Sequence, residues 1–489
     1  MRKNSFLEKV YRGLIYILPV VLFFSYHPVI HFGASESMNF EISLPLIWLV
    51  IFDFWAFIIM VRKKKLLKGL RGKWVWLLFP GFLTISVLWS LNSIRGILTV
   101  GILWFLYFAI YAMFDLKDEF EKTGFKEKFW KVFFWSAVGI CGFCILQCVL
   151  DLAGVSRVYS LMCEGCTYQS FGFPHPNGFA IEPQFMGNLL LAPAIIAGAI
   201  LVKDKSHHIF RGRGSSLPSS RGSDPSALGR NLRKPLKILV AFIFITTLFL
   251  TFSRGAIYAF LVGLMFMSGF WLVREKQGRV KQIVKLWGLV VVAFLFALNA
   301  QGIMAAVSPT NDTYLSGVSK ALNHLSLGVI DVREGEKVLE EKQGNEQELP
   351  VENPVENFST FDGYVEESTN TRIELNEMAL KVWAKDFKTV MLGVGLGGAG
   401  QALYENGLTD SPKEIIQNQY VSLLLETGLI GIGLMIFTLI LIVRLVVKKS
   451  ASGIILSLMV AYGVSLLFFA GLPNALQIYL LPALVMLLI

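Results

Sequence analysis

Twelve apolar windows recur along the chain, and this repetition constrains the fold more than any other feature. Most of them contain about 17 to 22 residues, enough for a helix to cross a hydrocarbon layer roughly 30 Å thick. With 54% hydrophobic and 16% charged residues over 489 positions, the chain has more apolar surface than a soluble globule could bury. We therefore predict an all-α polytopic membrane protein with about 12 transmembrane helices. The windows are 13–30, 44–61, 74–90, 96–114, 131–152, 179–202, 237–252, 255–273, 286–304, 420–447, 453–470 and 472–489.

Lysines and arginines indicate on which side of the membrane each loop lies. If the amino terminus is cytoplasmic, 33 of the 45 basic residues fall in cytoplasmic segments. This distribution is expected because Lys and Arg resist translocation. Both termini are then cytoplasmic. The sequence pI of about 9.2 is a sign of topology, and we expect no nucleic-acid partner.

One long polar stretch interrupts the apolar pattern between the ninth and tenth windows. It divides the chain into nine predicted helices in residues 1–304, an extracytoplasmic loop in 305–419 and three helices in 420–489. Backbone outside helices and closed barrels cannot remain unsatisfied in hydrocarbon, so this loop must lie in water. We expect the loop to carry the chemistry, because it can present polar groups beside a substrate held in the membrane.

Two segments of the loop have predictable local structure. Apolar residues at helical spacing in 371–387 predict an amphipathic helix capped by Thr or Asn, with Arg372 in its first turn. The run from Gly393 to Gly400 can approach a ligand closely or turn sharply, since glycine adopts dihedral angles closed to other residues. Gly395 and Gly397 are therefore candidate substrate-binding residues.

Three arginines are candidates for binding an anionic substrate at the outer membrane face. A guanidinium stays charged and offers a planar fork of donors that matches phosphate oxygens. Arg254 lies between two windows joined by almost no loop, and Arg95 follows the third window at the same depth. With Arg372 from the long loop, they would form a receptor for a lipid-borne pyrophosphate, beside Ser253. Alternatively, Arg95 and Arg254 only reach the membrane interface from the end of a helix.

Three sequence patterns together resemble one family of bacterial membrane enzymes. They are Ser253-Arg254-Gly255, then Arg372 with Trp383 and the glycine run, then Gln417-Asn418 followed after nine residues by Gly428-Leu-Ile-Gly431. The combination resembles the O-antigen ligase and Wzy-type polymerase superfamily. Members of that family share a glycosyltransferase-C-like fold with a long late outer loop, so the resemblance covers essentially the whole chain.

The resemblance implies transfer of a glycan from undecaprenyl pyrophosphate to an acceptor hydroxyl, on the extracytoplasmic side of a bacterial cytoplasmic membrane. It implies no metal or other cofactor, with arginines stabilising the departing pyrophosphate. The sequence agrees, because no cluster of His and carboxylates has metal-ligand spacing in the outer segments. The implied partners are the lipid-linked glycan donor, a lipid-linked glycan acceptor and membrane lipid. A chain-length regulator is a further partner that the resemblance allows.

The proton acceptor for the attacking hydroxyl stays open. Ligases of this family carry a histidine where this chain has Gln417, and a glutamine cannot take a proton at neutral pH. Glu182, Glu426 and His324 are candidate bases, unless deprotonation follows a late departure of the sugar. Glu426 could instead orient an arginine, and His324 could be an ordinary loop histidine. The predicted catalytic set is Arg254, Arg372, Gln417, Glu182 and Glu426.

A proline-containing turn before the sixth window is a candidate sugar site. Two prolines bar a regular helix in 171–178, so its aromatic rings, His175 and Asn177 could contact sugar. A purely structural turn is the alternative. The predicted substrate-binding set is Arg95, Ser253, Asn418, Asn177, Gly395 and Gly397.

The missing histidine at position 417 favours a polymerase, which adds the growing glycan to a hydroxyl of another lipid-linked repeat unit. A ligase that passes finished glycan to a lipid, protein or wall acceptor is the alternative. A transporter or flippase is a second alternative. Against it, the two halves show no matched broken helices, and the long loop has no evident use in alternating access.

Overall fold

The computed structural model describes twelve stretches of the chain, and nearly all of them are helical. They are residues 6–25, 29–32, 40–65, 74–117, 124–153, 175–203, 234–274, 280–307, 313–326, 362–447, 452–471 and 475–488.

The regular elements follow one another as a long series of helices with one small sheet. The helices are α1 (Phe6–Phe23), α2 (Leu44–Arg62), α3 (Leu78–Ser86), α4 (Ser93–Asp115), α5 (Phe125–Leu152), α6 (Pro183–Lys203), α7 (Lys234–Leu250), α8 (Arg254–Arg274), α9 (Val280–Val307), α10 (Tyr314–Leu325), α11 (Asp362–Trp383), α12 (Phe387–Leu392), α13 (Ala399–Glu405), α14 (Gln419–Val447), α15 (Ser452–Ser465) and α16 (Leu476–Leu488). Short 3-10 turns at Trp74–Leu77 and Val87–Trp89 flank α3. Strands β1 (Val29–Phe32) and β2 (Phe40–Ser43) pair antiparallel.

Seven of these helices are long and apolar enough to cross a membrane, namely α2, α4, α5, α6, α8, α9 and α14. Four shorter apolar stretches are Val75–Trp89, Pro235–Leu250, Ser452–Ser465 and Leu476–Leu487. Each predicted window overlaps a helix. The all-α polytopic membrane fold is therefore confirmed. The total of twelve spans and the glycosyltransferase-C-like arrangement stay predictions.

The first window was placed too late in the chain. Helix α1 begins at Phe6 and ends at Phe23, whereas the window 13–30 runs into strand β1. A short apolar run cannot be assigned to a helix or a strand from its hydropathy alone, which explains the error.

The amphipathic helix of the long loop also begins earlier than predicted. Helix α11 starts at Asp362 and runs to Trp383. Thr371 is thus inside the helix and not at its amino-terminal end, and Arg372 lies in the middle of the helix. The polar residues that precede Thr371 hide the first half of this helix from a search for apolar periodicity.

Small residues allow α6, α8 and α15 to pack closely. A Cβ atom on Gly187 of α6 would lie 2.6 Å from the Cβ of Ala256 on α8. Similarly, a Cβ on Gly263 of α8 would lie 2.8 Å from the Cβ of Ala461 on α15. Membrane helices associate through such close contacts, since apolar side chains gain little by leaving lipid. Because Gly187 and Ala256 lie in the first turns of their helices, α6 and α8 begin side by side.

The helices that follow Asp362 dock on the start of α14. Side chains from α11, α13 and α14 share one buried apolar cluster that includes Leu375, Ala402 and Leu425. Ile416, just before α14, belongs to the same cluster. This part of the loop is therefore anchored to a membrane helix by a hydrophobic core of its own.

Candidate active site

Arg254 begins α8 directly after a sharp corner at the end of α7. Phe252 in this corner has φ +48°, in the left-handed region that costs a non-glycine residue about 1–2 kcal/mol. The Oγ of Ser253 accepts a hydrogen bond from the N–H of Ala256 at 3.4 Å. Ser253 therefore caps α8, and the corner fixes Arg254 in the first turn of the helix.

Helix α10, which lies in the long polar stretch after α9, packs against this corner. His324 Nε2 lies 3.1 Å from the carbonyl oxygen of Phe252, and Tyr258 donates a hydrogen bond to the carbonyl of Leu325. Because a carbonyl only accepts, Nε2 of His324 carries the proton. The ring of Phe252 is buried in one cluster with Ala321 of α10.

His175 reaches the same corner from the turn before α6. Its ring centroid lies 5.9 Å from that of Phe252. Burial lowers the pKa of His175 to about 3, so its imidazole is neutral at neutral pH. Burial likewise lowers the pKa of His324 well below its usual value, and the charges of Arg254 and Arg372 lower it further. Both guanidinium groups therefore lie near the His324 ring.

Glu182, just before α6, belongs to this group of side chains. Its surface is exposed, yet the surrounding protein raises the pKa of its carboxyl, and the charge of Arg372 opposes that rise. Arg372 thus acts on both Glu182 and His324. The structure brings together Glu182, Arg254 and Arg372 of the predicted catalytic set, with His175 and His324 beside them.

The starts of α6, α8 and α14 are linked by the end of α15. Gln184 Nε2 donates to the carbonyl of Phe468 at 2.6 Å, and the N–H of Gln419 donates to the carbonyl of Leu466 at 2.9 Å. The side chain of Phe468 also fills the space beside Gly255, where an added Cβ would lie 2.7 Å from its Cβ. The amino-terminal end of a helix carries a partial positive charge. Three such ends, together with two arginines, create a positive field suited to an anion.

Asn418 is the cap of α14. Its Oδ1 accepts hydrogen bonds from the N–H groups of Tyr420 at 3.1 Å and Val421 at 3.3 Å. These bonds use the oxygen of the side chain for helix capping. A role for Asn418 in substrate binding stays a prediction.

Gln417 lies between this cap and the apolar cluster that anchors α11. Its neighbour Ile416 is 1% exposed and shares that cluster with Leu375, which lies one turn after Arg372. The packing therefore holds Gln417 and Arg372 on two segments that are bound to each other. The side chain of Gln417 itself is half-buried.

Asn177 is held in a network within the protein. Gln147 Nε2 donates to Asn177 Oδ1 at 3.0 Å, and the N–H of Gly178 donates to Gln147 Oε1 at 2.8 Å. Asn177 Nδ2 in turn donates to the carbonyl of Ala180 at 3.1 Å. These bonds support the structural alternative for the turn. Residues 171–174 of the predicted sugar site lie outside the described residues.

Gly395 packs against the backbone between α3 and α4, and Gly397 packs against the first turn of α4. A Cβ on Gly395 would lie 2.3 Å from the Cα of Ser90, and one on Gly397 would lie 2.7 Å from the nitrogen of Gly96. Both glycines have positive φ, at +87° and +80°. The hydroxyl of Ser90 also donates to the carbonyl of Leu396 at 2.8 Å. This geometry favours a packing role for the two glycines over the predicted contact with substrate.

Glu426 and Arg95 are associated with the same glycine run. The Glu426 carboxylate accepts hydrogen bonds from the N–H groups of Gly397 and Ala399, and the charge of Arg95 acts on it. These contacts support the alternative in which Glu426 orients an arginine. The charge of Arg95 therefore acts on Glu426, whereas the charges of Arg254 and Arg372 act on His324.

The sequence analysis did not assign a role to Gln147 or Gln184, and it considered His175 only as a possible sugar contact. Gln147 offered one signal, because a polar side chain in the middle of an apolar span is usually functional or structural. Gln184 offered no such signal, since it stands at the edge of a window. The approach of His175 to Phe252 depends on tertiary packing and leaves no local trace in the sequence.

The described residues contain no group of three or more His, Cys, Asp or Glu side chains that could hold a metal ion. Reaction without a metal stays a prediction. No curated protein and no solved structure matches the chain.

A family model does match. Residues 239–436 match the Wzy_C model, described as O-antigen ligase. The matched segment contains Arg254, Arg372 and Gln417. This match supports an O-antigen ligase-like or polymerase-like function with glycosyltransferase-like activity in a bacterial membrane. Residues 239–436 are therefore similar to the O-antigen ligase family, and this similarity covers the candidate site.

Proposed function

We propose that the protein polymerises a polysaccharide by moving a glycan from undecaprenyl pyrophosphate to a hydroxyl of another lipid-linked repeat unit. The reaction would take place outside the cytoplasmic membrane. The observation that carries the proposal is the convergence of Arg254 and Arg372 beside His324. Arg254 lies in the first turn of α8, where the partial positive charge of the helix adds to its own.

In the proposed reaction, the acceptor oxygen forms a bond to the anomeric carbon of the donor sugar. The bond from that carbon to the diphosphate oxygen breaks, and the diphosphate leaves with the electron pair. Arg254 and Arg372 stabilise the negative charge that develops on the leaving group. Guanidinium groups suit this role because their planar donors match phosphate oxygens.

The proton of the acceptor hydroxyl passes to Glu182 in this proposal. Glu182 lies near Arg372, and the surrounding protein raises the pKa of its carboxyl above the usual value by partly excluding water. A carboxylate with a raised pKa is a stronger base than an ordinary one, so it takes the proton more readily near neutral pH. Gln417 cannot act in this way, and we assign it hydrogen bonding to a substrate near Arg372.

The choice between polymerase and ligase rests on the glutamine at position 417. Ligation to a lipid, protein or wall acceptor is the alternative outcome of the same chemistry. The two are distinguished by product size. Loss of a polymerase leaves single repeat units on the acceptor, whereas loss of a ligase leaves full-length glycan on the carrier lipid.

The test uses the purified full chain in liposomes that contain undecaprenyl-pyrophosphate-linked repeat units. Wild-type protein should produce a ladder of polymers. We expect Arg254→Ala and Arg372→Ala each to reduce transfer by about 100-fold or more, the scale seen when a group that stabilises the leaving charge is removed. Unchanged polymer length in either variant would contradict the assigned role of that arginine.

Arg274→Ala provides a matched control. Arg274 ends the same helix that Arg254 begins, and its Nη1 donates to the hydroxyl of Ser452 at 2.9 Å. At about 1.5 Å per residue, the two arginines lie roughly 30 Å apart along α8. The control variant should insert into the membrane and polymerise the glycan as the wild-type protein does.

A further inference from the structure

The corner that carries Arg254 is strained and needs support from outside its own helices. Phe252 has φ +48° although it is not glycine, and its side chain is 2% exposed. Such a conformation persists only where the surrounding structure determines it strongly. A shift of Phe252 toward an ordinary dihedral angle would rotate the start of α8 and move the guanidinium of Arg254.

That support comes from α10. Its last turn places His324 Nε2 at 3.1 Å from the Phe252 carbonyl, and Leu325 accepts a hydrogen bond from Tyr258 of α8. The beginning of α10 is fixed in a different way. An added Cβ on Gly317 would lie 2.4 Å from the Cβ of Ala305 on α9, so the two helices are in close contact there.

We propose that His324 is a positioning residue, whose Nε2–H holds the Phe252 corner so that Arg254 faces the diphosphate. This inference rests on the proposed function of Arg254. The role requires a hydrogen-bond donor at position 324 and does not require a group that exchanges protons with substrate. It therefore separates His324 from Glu182, which takes the proton in the proposed reaction.

Two substitutions test whether position 324 requires a hydrogen-bond donor: one removes the donor and the other keeps it. His324→Phe keeps a planar ring and removes the donor, whereas His324→Gln keeps an N–H donor and cannot titrate. The measurement is the affinity of the full chain in nanodiscs for undecaprenyl pyrophosphate, followed by transfer activity. We expect His324→Phe to weaken binding by up to about tenfold, the effect of one hydrogen bond. His324→Gln should restore both binding and transfer.

A double-mutant comparison with Arg254 distinguishes a positioning role of His324 from a general effect of its substitution on folding. In an Arg254→Lys background, His324→Phe should weaken binding much less than it does in the wild type, because both changes act on one contact. Equal effects in the two backgrounds would overturn the inference. Tyr258→Phe removes the hydrogen bond from α8 to Leu325 of α10 and should act in the same direction, even where His324→Phe folds poorly.

A control on the same helix is Tyr314→Phe. The Tyr314 hydroxyl donates to Asn299 Oδ1 at 2.6 Å at the start of α10, far along the helix from the corner. This variant should bind the carrier as the wild type does.

The outcomes separate the two proposals. If Arg254→Lys binds normally, the proposed function fails. If Arg254→Lys binds weakly and His324→Phe binds normally, only the positioning role fails. Normal binding by His324→Gln with loss of transfer would overturn the positioning role in favour of a base at position 324.

Discussion

Glu182 combines two features that a proton acceptor needs. Protein around the carboxyl raises its pKa, and the charge of Arg372 opposes that rise. In the proposed reaction, the guanidinium of Arg372 therefore acts on both the leaving diphosphate and the base. Neither His175 nor His324 offers a comparable site, since burial keeps both imidazoles neutral and of low basicity.

We expect transfer to decrease as the pH falls through the raised pKa of Glu182, because the base must be deprotonated to accept the proton. Glu182→Gln should lower the rate by about 100-fold and remove this acidic limb of the pH profile. Glu182→Asp should retain the limb. The measurement is the initial rate of transfer between about pH 4 and pH 8.

Glu405→Gln is the control for this experiment. Glu405 is an exposed carboxylate at the end of α13, where it accepts a hydrogen bond from Gln401 at 2.9 Å. The pH dependence of the transfer rate of Glu405→Gln should match that of the wild type. A Glu182→Gln variant with a normal rate and an unchanged acidic limb would show that the proton leaves by another route.

At the level of elements, the glycines of the family motifs have a physical explanation in helix packing. Gly428 has φ +61° and kinks α14, and a Cβ there would lie 2.4 Å from the carbonyl of Met391 at the end of α12. A Cβ added to Gly393 would lie equally close to the backbone of Glu426, at 2.3 Å. The motif Gly428-Leu-Ile-Gly431 therefore marks the point where α12 packs against membrane helix α14.

Gly428→Ala should destabilise the protein by about 1–3 kcal/mol, because the methyl group meets backbone and the dihedral angle becomes unfavourable. The measurement is the thermal unfolding temperature in detergent. Gly433→Ala on the same helix is the control, since nothing lies within 4 Å of an added Cβ there. Equal unfolding temperatures for the two variants would contradict the packing role.

The elements that could be predicted from the sequence are those whose own residues have a distinctive hydropathy. Each apolar window overlaps a helix because hydropathy is a property of the segment itself. The predicted range of helix α11 was too short because the first half of the helix is polar. The first predicted window included the start of β1 because that strand is short and apolar. Arg254 and Arg372 could be chosen from residue chemistry alone.

The approach of Arg372 to Glu182 and His324 could not be predicted, since it depends on how α11 docks on α14.

At the scale of the whole molecule, two regions of the chain cooperate. Membrane helices α6, α8 and α14 begin close to one another, and the end of α15 links them through Gln184, Phe468 and Gln419. Helices α10 and α11 of the long loop add His324 and Arg372 to this place. Arg254 and Arg372 thus come together where both regions meet, as the proposed binding of a lipid-linked diphosphate requires.

The most direct measurement is a cryo-electron microscopy map of the protein with bound undecaprenyl pyrophosphate. The account predicts that the diphosphate lies at the start of α8, with its oxygens about 3 Å from the guanidinium nitrogens of Arg254 and Arg372. A diphosphate bound elsewhere, in contact with neither arginine, would contradict it.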